Sequence, residues 1–181
     1  MPKFILKISS LEQQNYINIK DVDCFIFSTQ LPENYLITQI NKVKEIGKIS
    51  LLEGDNAADF VVKFDADGII IDLTQCSNIK KEINHYKKQI GSRFLGVICR
   101  NRRHEAMIVS ENEPDFIIFR LGKDENNKTK ELTSWYEEFF LLQMAIEIMD
   151  DDIDFLSYQT DIIILTPERF KILVAQKQRL E

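Results

Sequence analysis

Three cysteines, two histidines and six glycines are spread over 181 residues, and that scarcity excludes several chemistries. Cys24, Cys76 and Cys99 are odd in number and far apart, with no metal-type pair. Buried free thiols in a reducing compartment are therefore expected, not a disulfide framework. No Gly-rich phosphate loop, Ser-His-Asp set or His-Glu-x-x-His occurs, which leaves nucleophilic hydrolysis and zinc chemistry without support. No segment reaches the roughly 18 apolar residues of a membrane span. The opening Met1-Pro2-Lys3-Phe4-Ile5-Leu6-Lys7 has no long apolar leader core, so a cytoplasmic location and no membrane partner are expected. Basic charge is also short. A net charge of −6 argues against a nucleic-acid surface, but a local pocket for a small anion remains compatible with it.

What is present is ordinary globular composition, 44% hydrophobic and 29% charged, expected to form one domain over residues 1–181. Within it runs a repeat. Asp67-Gly68-Ile69-Ile70-Ile71-Asp72 is a short apolar run bounded by acids, with no polar alternation. Asp23-Cys24-Phe25-Ile26-Phe27, Asp115-Phe116-Ile117-Ile118-Phe119 and Asp161-Ile162-Ile163-Ile164-Leu165 have the same form. The four aspartates are 44, 48 and 46 residues apart. A strand apolar on both faces belongs in a parallel sheet covered by helices.

Between these runs lie further strands at Phe4 to Ile8, Ile49 to Glu53, Phe94 to Cys99 and Leu142 to Ile146. The last could extend to Ile148, and a helix is the alternative for its residues. Helical segments alternate with the strands. Leu36, Ile37, Ile40 and Val43 recur at helical spacing between Pro32 and Gly47. Ala57 to Asp65 makes a short helix. Ile79, Ile83, Tyr86 and Ile90 form a stripe capped by Ser77 or Asn78 and ended by Gly91. Glu105 to Glu111 follows a basic run. Leu121 to Glu131 reads as the longest polar loop, before a helix carrying Trp135, Phe139 and Phe140. Asp150-Asp151-Asp152 starts another helix, and Pro167 opens the last. Eight such units in succession predict a small (β/α)8 TIM barrel with short or vestigial helices, because the chain falls below the roughly 200 residues usual for that fold.

In such a barrel ligands sit where the strands end. The residues there are Ser28-Thr29-Gln30, Glu53 to Asn56, Asp72 to Gln75, Arg100 to His104, Arg120 to Gly122, Glu147 and Thr166. Arg100, Arg102 and Arg103 with His104 form the best basic cluster. They could hold a phosphate with help from the following helix N-terminus, or be solvated residues paired with Glu105 or Asp72. The aspartates that begin the even strands lie at the opposite end and read as turn or cap residues.

Leu51 to Gln75 resembles the thiamine phosphate synthase/TenI family, whose barrels carry Asn-Asp after strand 3 and Ala-Asp-Gly-Val on strand 4. The counterparts here are Gly54-Asp55 and Ala66-Asp67-Gly68-Ile69. Gly96-Val97-Ile98-Cys99, Glu105-Ala106 and Pro114-Asp115-Phe116 look like the family's strand 5, next helix and strand 6. Met144-Ala145-Ile146 stands where it has Val-Ala-Ile-Gly-Gly. The resemblance implies thiamine biosynthesis and a transferase joining two phosphorylated substrates, with Mg²⁺ holding a diphosphate. It places Asp55 on a metal-binding aspartate and makes Asp72 the nearest acid to the second. Thr129 and Lys130 fall near the family's Thr-x-Thr-Lys phosphate contact. Ser28-Thr29-Gln30 replaces a cationic element, Ile98 a serine, and Glu147-Ile148 the phosphate-binding glycines, so the family's catalytic set is reduced and no catalytic residue is assigned. An enzyme with an altered site, a non-catalytic binder of a small phosphorylated molecule and an interaction protein stay open, as does a homodimer.

Overall fold

A computed structural model describes residues 2–16, 21–122, 126–150 and 157–177. Its strands are β1 (Lys3–Ile8), β2 (Val22–Ser28), β3 (Ile49–Glu53), β4 (Gly68–Asp72), β5 (Phe94–Ile98), β6 (Phe116–Leu121), β7 (Gln143–Ile148) and β8 (Ile162–Leu165). Each pairs in parallel with the next, and β8 returns to β1, so the sheet closes into a barrel. Around it lie α1 (Glu33–Glu45), α2 (Ala57–Lys63), α3 (Ile79–Ile90), α4 (Arg103–Glu111), α5 (Asn126–Phe139) and α6 (Pro167–Lys177). The expected (β/α)8 TIM barrel is what forms. It is small because α2 is only two turns long and a 3₁₀ turn (Leu11–Tyr16) stands between β1 and β2. Among the described residues no helix is long and apolar enough to cross a membrane.

The unbroken apolar runs follow from this closure. Successive side chains alternate between two cores. Leu6, Phe25, Leu52, Ile69, Val97, Ile117, Ile146 and Ile163 face the helices. Ile5, Ile26, Leu51, Ile70, Ile98, Ile118, Ala145 and Ile164 fill the barrel. Burying one such Ile or Leu contributes roughly 1.5–3 kcal/mol, so both faces of every strand stabilise the closed sheet. Gly96 permits the fill on one side: a Cβ there would lie 2.5 Å from the Phe116 ring.

The aspartates of the repeat act as clamps at the N-terminal end. The Ser50 amide donates to Asp67 Oδ2 at 2.8 Å, Leu95 to Asp115 Oδ2 at 2.7 Å and Met144 to Asp161 Oδ2 at 2.9 Å. Each aspartate amide donates back to the same partner's carbonyl, at 2.9, 2.9 and 3.1 Å. Every clamp ties an even strand to the odd strand before it, so the sequence period spans two βα units. Asp23 departs from the pattern. The β1–β2 register runs Phe4↔Val22 and then Ile5↔Cys24, which leaves Asp23 in a bulge, exposed. Replacing Asp115 or Asp161 with alanine is expected to cost about 1–2 kcal/mol by urea denaturation, the penalty of an orphaned amide. Asp23→Ala should stay within about 0.5 kcal/mol, as for surface positions without such a role. Equal losses at Asp23 and Asp115 would disprove the clamp.

Two expectations change and a third is not reached. The polar loop Leu121 to Glu131 is helical from Asn126 onward. Its inward face is Thr129, Leu132, Thr133 and Tyr136, at helical spacing, and the two threonines read as polar although both are fully buried. The seventh strand runs Gln143–Ile148, the longer of the two extents considered. The acidic helix start at Asp150-Asp151-Asp152 falls mostly on residues 151–156, outside the described residues.

Candidate functional site

Inward residues of alternate strands stack in layers of about four. In the register here, the last two layers at the C-terminal end are Lys7, Glu53, Ile98 and Glu147, then Ser28, Asp72, Arg120 and Thr166. The apolar fill thus ends on charge. Lys7 comes from β1, Glu53 from β3, Asp72 from β4, Arg120 from β6 and Glu147 from β7.

These side chains form one network. Lys7 Nζ lies 2.8 Å from Glu53 and 2.5 Å from Glu147 Oε1. Arg120 Nε donates to Glu147 Oε2 at 2.8 Å, one terminal nitrogen reaches Glu53 Oε1 at 3.3 Å, and the other pairs with Asp72. The Glu147 side chain is only 6% exposed, against 30% for Arg120 and 37% for Asp72, so the network grades from buried to solvated.

The environments push the acids apart. Burial raises the Glu53 carboxyl, and the nearby Glu147 charge adds to this, so Glu53 stays above the usual carboxylate range despite Lys7. Burial also pushes Glu147 upward, but Lys7 and Arg120 together outweigh it and hold Glu147 below that range. For Asp72 burial again works upward and is overcome by the Thr74 hydrogen bonds and Arg120, leaving it depressed. Glu53 is therefore the carboxylate readiest to take a proton, beside a partner that stays ionised.

Next to this network is a cleft of about 240 Å³ lined by Thr74, Cys99, Arg100, Asn101, Arg102 and Arg120. Arg100 is braced by the buried Glu105, with Nε 2.7 Å from Oε1 and the Arg100 amide donating to Oε2 at 3.2 Å. Asn101 donates to the Arg120 carbonyl at 2.7 Å and to Thr129 Oγ1 at 3.0 Å, which pins the β5–α4 loop to β6 and α5. Cys99 is buried and its thiol is pushed upward by that burial, so it is no nucleophile at neutral pH.

Of the residues singled out in the sequence, Arg100 and Arg102 line the cleft. Arg103 does not: its guanidinium lies over the Trp135 ring, 5.1 Å from the centroid. Thr129 is buried behind the cleft as the acceptor for Asn101, and Lys130 is exposed on α5. Asp55 is exposed in the turn after β3. In that turn Gly54 has φ +136°, and a Cβ would meet Thr29 Oγ1 at 2.0 Å, so the family's asparagine does not fit at this position. Asp72 Oδ1 accepts from the Thr74 amide at 2.9 Å and hydroxyl at 2.6 Å, while Oδ2 faces Arg120. Among the described residues no three His, Cys, Asp or Glu side chains converge as a cation site. Of the two acids that the resemblance gives to Mg²⁺, Asp72 is engaged by Arg120 and Thr74, and Asp55 stands exposed in the turn after β3. Glu147, which the resemblance sets against phosphate-binding glycines, has its charge taken up by Lys7 and Arg120.

Glu53, Asp72, Arg120 and Glu147 all belong to the strand-end set legible in the sequence. Lys7 was missed because it falls inside a strand read to Ile8. The available signal was a lone cation in an apolar run, in the same inward phase as Ile5. Asn101 lay in the basic run, but its latch role depends on α5 and left no mark in the sequence.

No family model matches the sequence, and none of the curated protein sequences does. Solved structures do resemble the fold. Tryptophan synthase subunit alpha from Legionella pneumophila superposes with a TM-score of 0.67 at 8% identity, over 98% of this chain and 86% of that one. 3-Hexulose-6-phosphate synthase from Salmonella typhimurium gives 0.60 at 15% identity, over 91% and 88%. The citrate synthase SbnG, as a variant, gives 0.60 at 15% identity, over 99% and 96%. At such identities the likeness is one of fold: the chain is similar to TIM-barrel enzymes along almost its whole length.

Proposed function

We propose that this protein binds a small phosphorylated molecule in the arginine cleft at the C-terminal end of the barrel. One observation carries the reading: Arg100, Arg102 and Arg120 line a single cleft with Asn101 and Thr74. Arginine forks match phosphate oxygens, and the N-terminus of α4, which begins at Arg103, opens beside them. The bound anion would share Arg120 with Asp72 and Glu147, which couples ligand binding to the charged network. Support of a general kind comes from the fold, on which 3-hexulose-6-phosphate synthase, by its name, handles a sugar phosphate. Thiamine phosphate is a specific candidate through the motif resemblance of Leu51 to Gln75.

Calorimetry with inorganic phosphate, pyrophosphate and thiamine phosphate, each with and without Mg²⁺, tests this. Arg102→Ala should weaken binding about tenfold or more, one lost charged hydrogen bond, while Arg103→Ala should leave it unchanged. Absence of heat with all three compounds would sink the proposal. A thiamine phosphate affinity no better than that of inorganic phosphate would remove the thiamine assignment and keep the phosphate site. An Mg²⁺ enhancement that disappears in Asp55→Ala would bring that aspartate into the site.

A further inference from the structure

The opposite end of the barrel is not closed. A cavity of about 380 Å³ enters it from the N-terminal face, within the size range of small-molecule sites. Its origin is in the inward residues. The lowest layer is Lys3, Ile49, Phe94 and Gln143, of which Lys3, Phe94 and Gln143 are exposed. In the layers above, the Phe116 ring takes the space beside Gly96, and Phe94 and Leu51 that beside Gly68. Ile5, Leu51, Phe116 and Ile162 form an apolar floor and wall, with Cys24 among them. The rim carries Asp21, Asp23 and Asp115 against Lys3, an excess of negative charge. Phe94, 43% exposed, sets an aromatic ring at that entrance.

We propose that this cavity is a second binding site, for a small organic cation with an apolar or aromatic body. The body fits among Ile5, Leu51, Phe116 and Ile162. The cationic group stays at the rim, where Asp21 and Asp23 are free of the clamp role that occupies one oxygen of Asp115. A positive group beside Phe94 also gains from the ring face. An anion is disfavoured by the rim. A neutral apolar molecule would gain the burial and lose the charge pairing. The site is separate from the arginine cleft, and neither reading depends on the other.

Amide NMR titration of the intact protein with benzyltrimethylammonium tests it, with neopentylbenzene as the neutral counterpart and benzenesulfonate as the anion. Saturable shifts are expected at Ile5, Leu51, Phe116 and Ile162. The neutral compound should bind about tenfold more weakly and the anion not at all. Ile49→Phe, a half-buried rim position, should block the entrance and abolish the shifts. Asp23→Asn, in the exposed bulge, should weaken the cation alone, and both variants should keep the wild-type amide spectrum away from the cavity. Shifts confined to the C-terminal face, no saturation, or equal affinity for cation and neutral compound would each overturn the proposal.

Discussion

Lys7→Met is expected to destabilise the protein by about 3–5 kcal/mol, the range for breaking a buried ion pair from one side. Methionine keeps the length and most of the volume of the lysine stem, so the loss isolates the charge. Glu53 and Glu147 would remain in the barrel end facing each other with Arg120 alone between them. Their side chains are 16% and 6% exposed, too little for water to replace the ammonium. Burial by itself would lower the Lys7 pKa, but the two glutamates outweigh it and raise it, so the cation is held by its partners. The measurement is urea denaturation at neutral pH. Adding Glu53→Gln to Lys7→Met should recover part of the loss, because it removes the like charge beside Glu147. A loss under about 1 kcal/mol would show that the pairs behave as solvated surface bridges.

The two glutamates on Lys7 should respond in opposite directions. Glu147→Gln is expected to lose about 3 kcal/mol at pH 7, since it strips both Lys7 and Arg120 of their most buried partner. Glu53→Gln should be neutral or stabilising at the same pH, because burial and the Glu147 charge already disfavour its ionised form. The pH dependence follows with its sign. The folded-state pKa of Glu53 lies above its ordinary 4.5, so the folded state binds that proton more tightly, and stability rises as pH falls through this window. That of Glu147 lies below 4.5, so its contribution is complete above 4.5 and is lost as pH falls further. Stability should therefore increase on mild acidification and then collapse. Glu53→Gln should remove the increase, and Glu147→Gln should blunt the collapse. At the alkaline end Lys7 adds a loss as pH rises beyond 10.5. Denaturation midpoints across this range check the curve, and parallel curves for the two variants would rule out the asymmetry.

Closure of the barrel was legible because its cause is periodic. Asp67-Gly68-Ile69-Ile70-Ile71 has apolar residues in both phases, and only a strand buried on both faces can use them. The helix from Asn126 was not legible, because its buried face is made partly of Thr129 and Thr133. A threonine satisfied by the Asn101 amide, or by the Lys130 carbonyl, is written with the same letter as one in water. The basic run Arg100-Asn101-Arg102-Arg103 was visible as a cluster, but its division was not. Arg103 turns to Trp135 because α5 lies there, while Arg100 stays at the cleft because Glu105 braces it.

The sequence by itself determined the fold and the end of the barrel where charge collects, since alternation and spacing act locally along the chain. The polar strand ends follow from that same pattern, whereas the repeat aspartates, which read as turn or cap residues, became clamps only through the paired strands. Which charges meet was decided only by the tertiary structure. Lys7 and Glu147 are separated by almost the whole chain and are joined because β8 closes onto β1 and brings β7 within reach. The open cavity at the far end is of the same kind. It is lined from β1, β2, β3, β5, β6, β7 and β8, a set that only the closed sheet brings together.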